Sequence, residues 1–280
     1  MPATSPTAAL SALHDRLQAQ VWRASSLGSC ASPGLASGFA ALDAELPGGG
    51  WPTRALTEIL TPLWGVLEWR LLAPALRPLL CAPPPSAARG RQQRMAAAPP
   101  PARRSLLLIN PPRTPHLPGL AALGLPPQQI VWIAAEQPQQ QLWATEQAIK
   151  ADAAAAVLAW LPQARPEQMR RLQACALGCA APVFVLRPWT AQQHSSAAPL
   201  RALVAPGSAW TLAVHLLKRR GPAHEGWLDL PAIPSELAAL LTPRMRALGD
   251  AALPPATPVL APRPIDHALA RPAALPAVQR

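Results

Sequence analysis

Short apolar runs bounded by turn residues alternate along this chain with segments of helical periodicity. The runs predict strands over Ala55–Leu60, Ser105–Asn110, Ile130–Ala134, Ala154–Leu161, Val183–Leu186 and Trp210–Leu217, with a weaker one at Gly226–Leu230. Between them, the patterns over Val66–Leu80, Pro138–Lys150 and Arg165–Gly178 predict helices. Pro74 and Pro78 are expected to shorten or kink the first of these, because proline removes a helix donor and crowds the preceding turn. Most predicted strands are continuously apolar rather than alternating. That pattern points to an α/β fold with a mostly parallel sheet, flanked by helices on both faces.

Outside this alternation the pattern changes. Leu10, Leu13, Leu17 and Val21 are spaced 3, 4 and 4 apart, which is one face of an amphipathic helix. Residues 27–54 are glycine-rich and read as turns. Residues 82–104, "APPPSAARGRQQRMAAAPPPARR", hold five arginines, no acid and two proline triplets, and read as a low-complexity, disordered insertion. From about residue 246 the chain is rich in proline and alanine. The expected organisation is therefore a helix and linker over 1–30, one α/β domain over 31–245 carrying the insertion, and a disordered tail over 246–280.

Composition adds charge to this picture. The net charge is +11, nearly all of it from arginine, since Lys150 and Lys218 are the only lysines. This suits an acidic partner such as nucleic acid, or equally a set of solvated arginines in disordered segments. The first 20 residues lack the basic start of a signal peptide, and no uncharged apolar run has membrane-spanning length. The four cysteines, Cys30, Cys81, Cys175 and Cys179, make no zinc pattern and read as small buried residues. The cytoplasm is the expected location.

The stretch "SGFAALDAELPGGGWPTRALTEILTP" (Ser37–Pro62) resembles the RecA recombinase superfamily. Gly38, Leu42, Asp43, Gly48–Gly50, Glu58, Ile59 and Pro62 keep the order of that family's glycine turn, first strand and phosphate loop. The likeness extends through Leu120–Pro162 and covers about 200 residues. Within the superfamily, "VWRA", "ALTEIL", "EWRLLAPAL", "LWATEQAI", "AVLAWLP" and "LKRRGP" resemble the ImuA family of proteins associated with translesion DNA synthesis. The resemblance implies a RecA-like core with a degenerate phosphate loop. It also implies a non-catalytic adaptor of damage-induced, error-prone DNA synthesis. Its implied partners are an ImuB-type polymerase-like protein, an error-prone C-family polymerase and RecA. The SulA family, whose members inhibit cell division by binding FtsZ, is the alternative relative.

A working phosphate loop needs backbone amides, a lysine for the outer phosphates and a hydroxyl for magnesium. With the RecA pattern laid on without gaps, Leu67 takes the lysine position, and Glu68 and Trp69 take the hydroxyl positions. Glu68 there would repel phosphate. Pro112 takes the place of the acid that would activate water, and Trp160 that of the magnesium-holding aspartate. Little is left to stabilise phosphoryl transfer, so no catalysis, metal or cofactor is expected. His194 beside Ser195 and Ser196 lacks an orienting acid in the sequence, and no paired carboxylates stand out.

Several surfaces then bear on binding, among them the loop Trp189–Pro199, placed like a RecA DNA-binding loop but with no cation between Arg187 and Arg201. Leu13, Leu17, Val21 and Trp22 are placed like the RecA element that packs on a neighbouring subunit, and would contact either a partner or the chain's own core. Lys218, Arg219 and Arg220, at a strand end, would grip DNA phosphate or form a solvated turn. Trp51, Trp64 and Trp69, around the degenerate loop, would stack bases or fill the space a nucleotide leaves, and filling is the favoured reading. Gln139–Trp143 is similar to a sliding-clamp peptide, but falls within a predicted helix.

Overall fold

The computed structural model describes residues 34–81, 104–208, 210–233, 237 and 240–245. The expected N-terminal helix with Leu13, Leu17, Val21 and Trp22, nearly all of the 82–104 insertion and the 246–280 tail lie outside them. The described chain is α/β. Helix α1 (Ala40–Glu45) precedes strand β1 (Leu56–Thr61), which leads to α2 (Leu67–Cys81). There follow β2 (Leu106–Ile109), α3 (Leu117–Ala122), β3 (Ile130–Ile133), α4 (Pro138–Ala151), β4 (Ala156–Trp160) and α5 (Pro166–Ala176). The chain continues through β5 (Val183–Pro188), β6 (Leu200–Pro206), β7 (Thr211–Lys218) and β8 (Leu228–Pro231).

All eight strands join one sheet in the order β3-β2-β4-β5-β1-β6-β7-β8. From β3 to β6 the pairs are parallel, while β6–β7 and β7–β8 are antiparallel. Two cores form, one on each face. Leu42, Leu71, Leu72 and Leu76 of α1 and α2 pack on Ile59, Leu108, Leu158 and Phe184. Met169 and Leu172 of α5 and Ile149 of α4 pack on Leu56, Val157, Val183 and Val185. Alternate residues of the same strand feed opposite cores, which is why the central strands read as unbroken apolar runs. Among the described residues no helix is long and apolar enough to cross a membrane.

Several sequence expectations change. Pro74 and Pro78 do not end α2, which runs on to Cys81 around them. Burial of Leu71, Leu72, Ala75, Leu76 and Leu80 offsets the missing helix donors. The glycine-rich 27–54 segment contains α1, and two further elements, α3 and β6, went unread. Each is short or interrupted by polar residues, so tertiary contacts decide its state. Strand β3 is an edge strand, paired with β2 alone, and its successive residues Val131 and Trp132 are both exposed. The Gln139–Trp143 stretch is helical, with Leu142 buried.

The glycine motif has a packing role. Gly38 has φ +87°, and a Cβ there would lie 2.4 Å from Cβ of Pro74 on α2. Leu42 is fully buried beside it, and the Asp43 carboxylate accepts the Ser37 amide at 2.8 Å. A Cβ on Gly50 would strike the Leu35 carbonyl at 2.2 Å, where Leu35 and Trp51 form an isolated antiparallel bridge.

A buried ion triad ties the middle of the sheet together. Glu58 on β1 accepts from Arg187 on β5 at 2.8 Å and from Arg201 on β6 at 2.7 Å. The three side chains are 0%, 2% and 10% exposed respectively. Each arginine also reaches a backbone carbonyl, Arg187 that of Ala164 (2.7 Å) and Arg201 that of Ala191 (3.0 Å), while Nε of Arg187 has no partner among the described residues.

Two predictions follow from this packing. Gly38→Ala should cost roughly 1–3 kcal/mol, through strain at positive φ and collision with Pro74, read as a fall in the urea midpoint at constant slope. Glu58→Leu alone should cost about 3–5 kcal/mol, because it strands two buried guanidinium groups. The triple variant Glu58→Leu, Arg187→Met, Arg201→Met should recover most of that loss. Equal destabilisation of the single and triple variants would show that the charges are not the cause.

Candidate functional site

The turn that joins β1 to α2 sets the geometry. Thr61 ends the strand, and its hydroxyl accepts the Leu63 amide and donates to the Leu63 carbonyl. Gly65, at φ +94°, reverses the chain so that α2 begins at Leu67. Leu67 itself points into the core at 2% exposure. Glu68 is fully buried and folds back on the turn, accepting the Gly65 amide at 2.6 Å through Oε1. This is the reach of a capping-box acid, which satisfies a free amide at a helix start three residues before it. The same oxygen accepts Nε1–H of Trp160 at 3.2 Å. Oε2 of Glu68 has no hydrogen-bond partner among the described residues.

Trp160 ends β4, and its ring packs 5.9 Å from that of Trp69 on α2. After β2, Asn110 takes the left-handed conformation (φ 55°) and turns the chain into Pro111–Pro115. These segments enclose a cavity of about 320 Å³ at the C-terminal edge of the sheet, with Glu68, Trp69, Pro112 and Trp160 among its walls. Four of the five sequence-predicted loop positions therefore converge, and Leu67 is turned away from them. In open α/β sheets this edge is where ligands bind. Here the walls are mainly proline, leucine and tryptophan, and Glu68 is the one acid on them.

Burial outweighs the hydrogen bonds from Gly65 and Trp160 and holds the Glu68 carboxyl above its ordinary range. The native protein thus binds this proton more tightly than the unfolded chain does.

The other predicted surfaces lie elsewhere. Lys218 donates to the Ser196 carbonyl at 3.0 Å. Arg219 bonds the backbone and carboxylate of Glu45, the latter at 2.6 Å, and so ties β7 to α1. Arg220 is exposed. The basic run is therefore partly engaged within the fold. Trp51 is buried against Phe184, edge to face with ring centroids 5.6 Å apart, and belongs to the core rather than to the turn. Trp64 is partly buried against the same core. His194 meets no acid: its Nδ1 lies 3.4 Å from Nη2 of Arg187. Burial and the neighbouring Asp152 push the Cys179 thiol up to about 11, so it is a poor nucleophile. Among the described residues no three His, Cys, Asp or Glu side chains gather as a metal would require.

The sequence reading missed the Glu58–Arg187–Arg201 triad and the inward turn of Glu68. For Glu68 a signal existed, an acid three residues after a glycine at a helix start. No protein-family model matches the chain, and no curated protein matches its sequence.

The raised Glu68 carboxyl has a measurable consequence. Because the native state binds this proton more tightly, its stability falls as pH rises from the ordinary carboxylate value toward the folded one. Glu68→Gln keeps an acceptor for Gly65 and Trp160 but cannot ionise. The wild type should therefore lose stability relative to Glu68→Gln across that window. Urea midpoints of both proteins against pH should diverge there, and parallel curves would contradict the assignment.

Proposed function

We propose that this chain is a non-catalytic adaptor built on a RecA-like core with a degenerate phosphate loop. It would act in damage-induced translesion DNA synthesis as a member of the ImuA family. The observation that carries the non-catalytic part is the Glu68 carboxyl, which accepts the Gly65 amide in the turn after β1. In this reading the protein's own carboxyl occupies the place of a phosphate. No lysine stands nearby, and Pro112 and Trp160 line the cavity where an acid and a magnesium ligand would be needed. An incoming phosphate would meet an acid and a mainly apolar wall, with Arg113 and His116 only at the exposed rim rather than in a lysine-bearing cradle.

The sequence of the sheet supports the RecA-like part, with β1 between β5 and β6 and the turn following β1 at the C-terminal edge. The resemblance at Ser37–Pro62 and across Leu120–Pro162 supplies the biological context. The partners in this reading are an ImuB-type polymerase-like protein, an error-prone C-family polymerase and RecA, met in the cytoplasm. Direct DNA contact is a minor part of it, since Lys218 and Arg219 already bond within the fold.

A pull-down with the full chain from cells treated with a DNA-damaging agent tests the proposal. RecA or polymerase-like proteins should be recovered. Recovery of FtsZ alone would overturn it in favour of a SulA-like division inhibitor. ATP turnover by the purified chain, above that of a Trp160→Ala variant, would overturn its non-catalytic part.

A further inference from the structure

We propose that the cavity beside Glu68 is a docking pocket for an arginine side chain of a partner protein, seated against the tryptophans and paired with the Glu68 carboxylate. The inference rests on the adaptor reading and names the chemistry that this cavity would recognise.

Three observations carry it. The first is an unsatisfied acceptor: Oε2 of the fully buried Glu68 has no partner, whereas Oε1 already holds two donors. A buried carboxyl oxygen left in this state is costly, and a donor brought to it from outside recovers that cost. The second is the wall chemistry. Trp69 and Trp160 lie side by side with Pro112 and Leu123 near them, in a cavity of about 320 Å³. That is at the small end of the range that ligand pockets span, about 300–1,000 Å³. Apolar walls suit the methylene stem of an arginine, and its planar, weakly hydrated guanidinium stacks on indole while donating to a carboxylate. A phosphate would be repelled by the acid, and an ammonium would keep too much of its water. The third is the mouth. Val66, on the wall, is 56% exposed, and Leu63 and Leu117, within two residues of wall residues in sequence, are 53% and 45% exposed. Large exposed side chains around a recessed polar anchor suit a polypeptide surface, whose own apolar residues would cover them and exclude water.

The basic side chains on the wall, Arg113 and His116, are exposed on the rim. Their repulsion of an incoming cation is screened by salt, over a Debye length of about 10 Å at 0.1 M. A guanidinium would also draw the Glu68 carboxyl into its ionised form, because a paired charge is tolerated where a lone one is not.

The test uses the full chain and two capped peptides, acetyl-Leu-Arg-Leu-amide and its citrulline counterpart, which has nearly the same shape without the charge. The readout is the NMR signal of the Trp160 indole N–H, identified by its loss in Trp160→Phe. The arginine peptide should shift that signal saturably and bind at least about tenfold more tightly than the citrulline peptide. In Glu68→Gln that preference should vanish, while the buried Trp51 indole signal stays in place and shows the fold intact. No shift, equal binding of both peptides, or an unchanged preference in Glu68→Gln would each overturn the proposal. The pull-down separates this failure from that of the adaptor reading. Polymerase-like partners recovered equally by wild type and Glu68→Gln would leave the adaptor standing and remove this pocket as their contact. A Glu68-dependent preference for the arginine peptide, with no polymerase-like or RecA partner recovered, would do the reverse.

Discussion

The carboxylate of Glu58 holds two guanidinium groups in the interior, one from each strand that flanks β1. Three charges inside a sheet are expensive, and they persist only because nearly every donor finds an acceptor. Arg187 and Arg201 each extend past Glu58 to a backbone carbonyl, at Ala164 and Ala191. The triad therefore fixes more than three strands. It pins the loop before α5 and the turn after β5 to the centre of the sheet. It also sits where the parallel half meets the antiparallel half, since β6 pairs in parallel with β1 and antiparallel with β7. A slip of one residue in β1 would turn Glu58 to the opposite face and leave both arginines without an anion. Register at this point is thus specified by charge as well as by apolar contact.

With β1 held in register, the turn that follows it is also held. Thr61, Gly65 and Glu68 close a small hydrogen-bonded loop at the start of α2. The free amide that such a helix start would offer to an anion is taken by a side chain of the same helix. The tryptophans that close over this carboxyl come from α2 and from the end of β4. The turn is satisfied internally, and its acceptor capacity, rather than its donor capacity, faces the cavity. The wall at this sheet edge is mainly apolar around one buried acid, with Arg113 and His116 at its exposed rim.

The positions that resemble a RecA core divide by physical role. Gly38, Leu42 and Asp43 keep work that has nothing to do with a nucleotide: close packing on Pro74, burial in the core, and capture of the Ser37 amide. Glu58 serves the triad. Of the positions that differ, Glu68, Trp69, Pro112 and Trp160 lie together on one cavity wall, and Leu67 is turned into the core. Packing constraints act on the first group whatever the chain binds, whereas the second group is free to change with the chemistry at the sheet edge.

The sequence by itself determined the α/β alternation and most strand positions, because the apolar runs of a two-sided sheet are local signals. It also determined that the loop after β1 lacks a lysine. It left α3 and β6 unread and the extent of α2 beyond its prolines undecided, since each depends on what packs against it. Only the tertiary structure decided that Glu58 meets arginines 129 and 143 residues away, because no local pattern encodes such a pairing. It likewise decided that Glu68 turns inward rather than facing an incoming anion. A side chain's direction is set by the donors and the burial around it, and here these come from Gly65 in the turn and Trp160 on a distant strand.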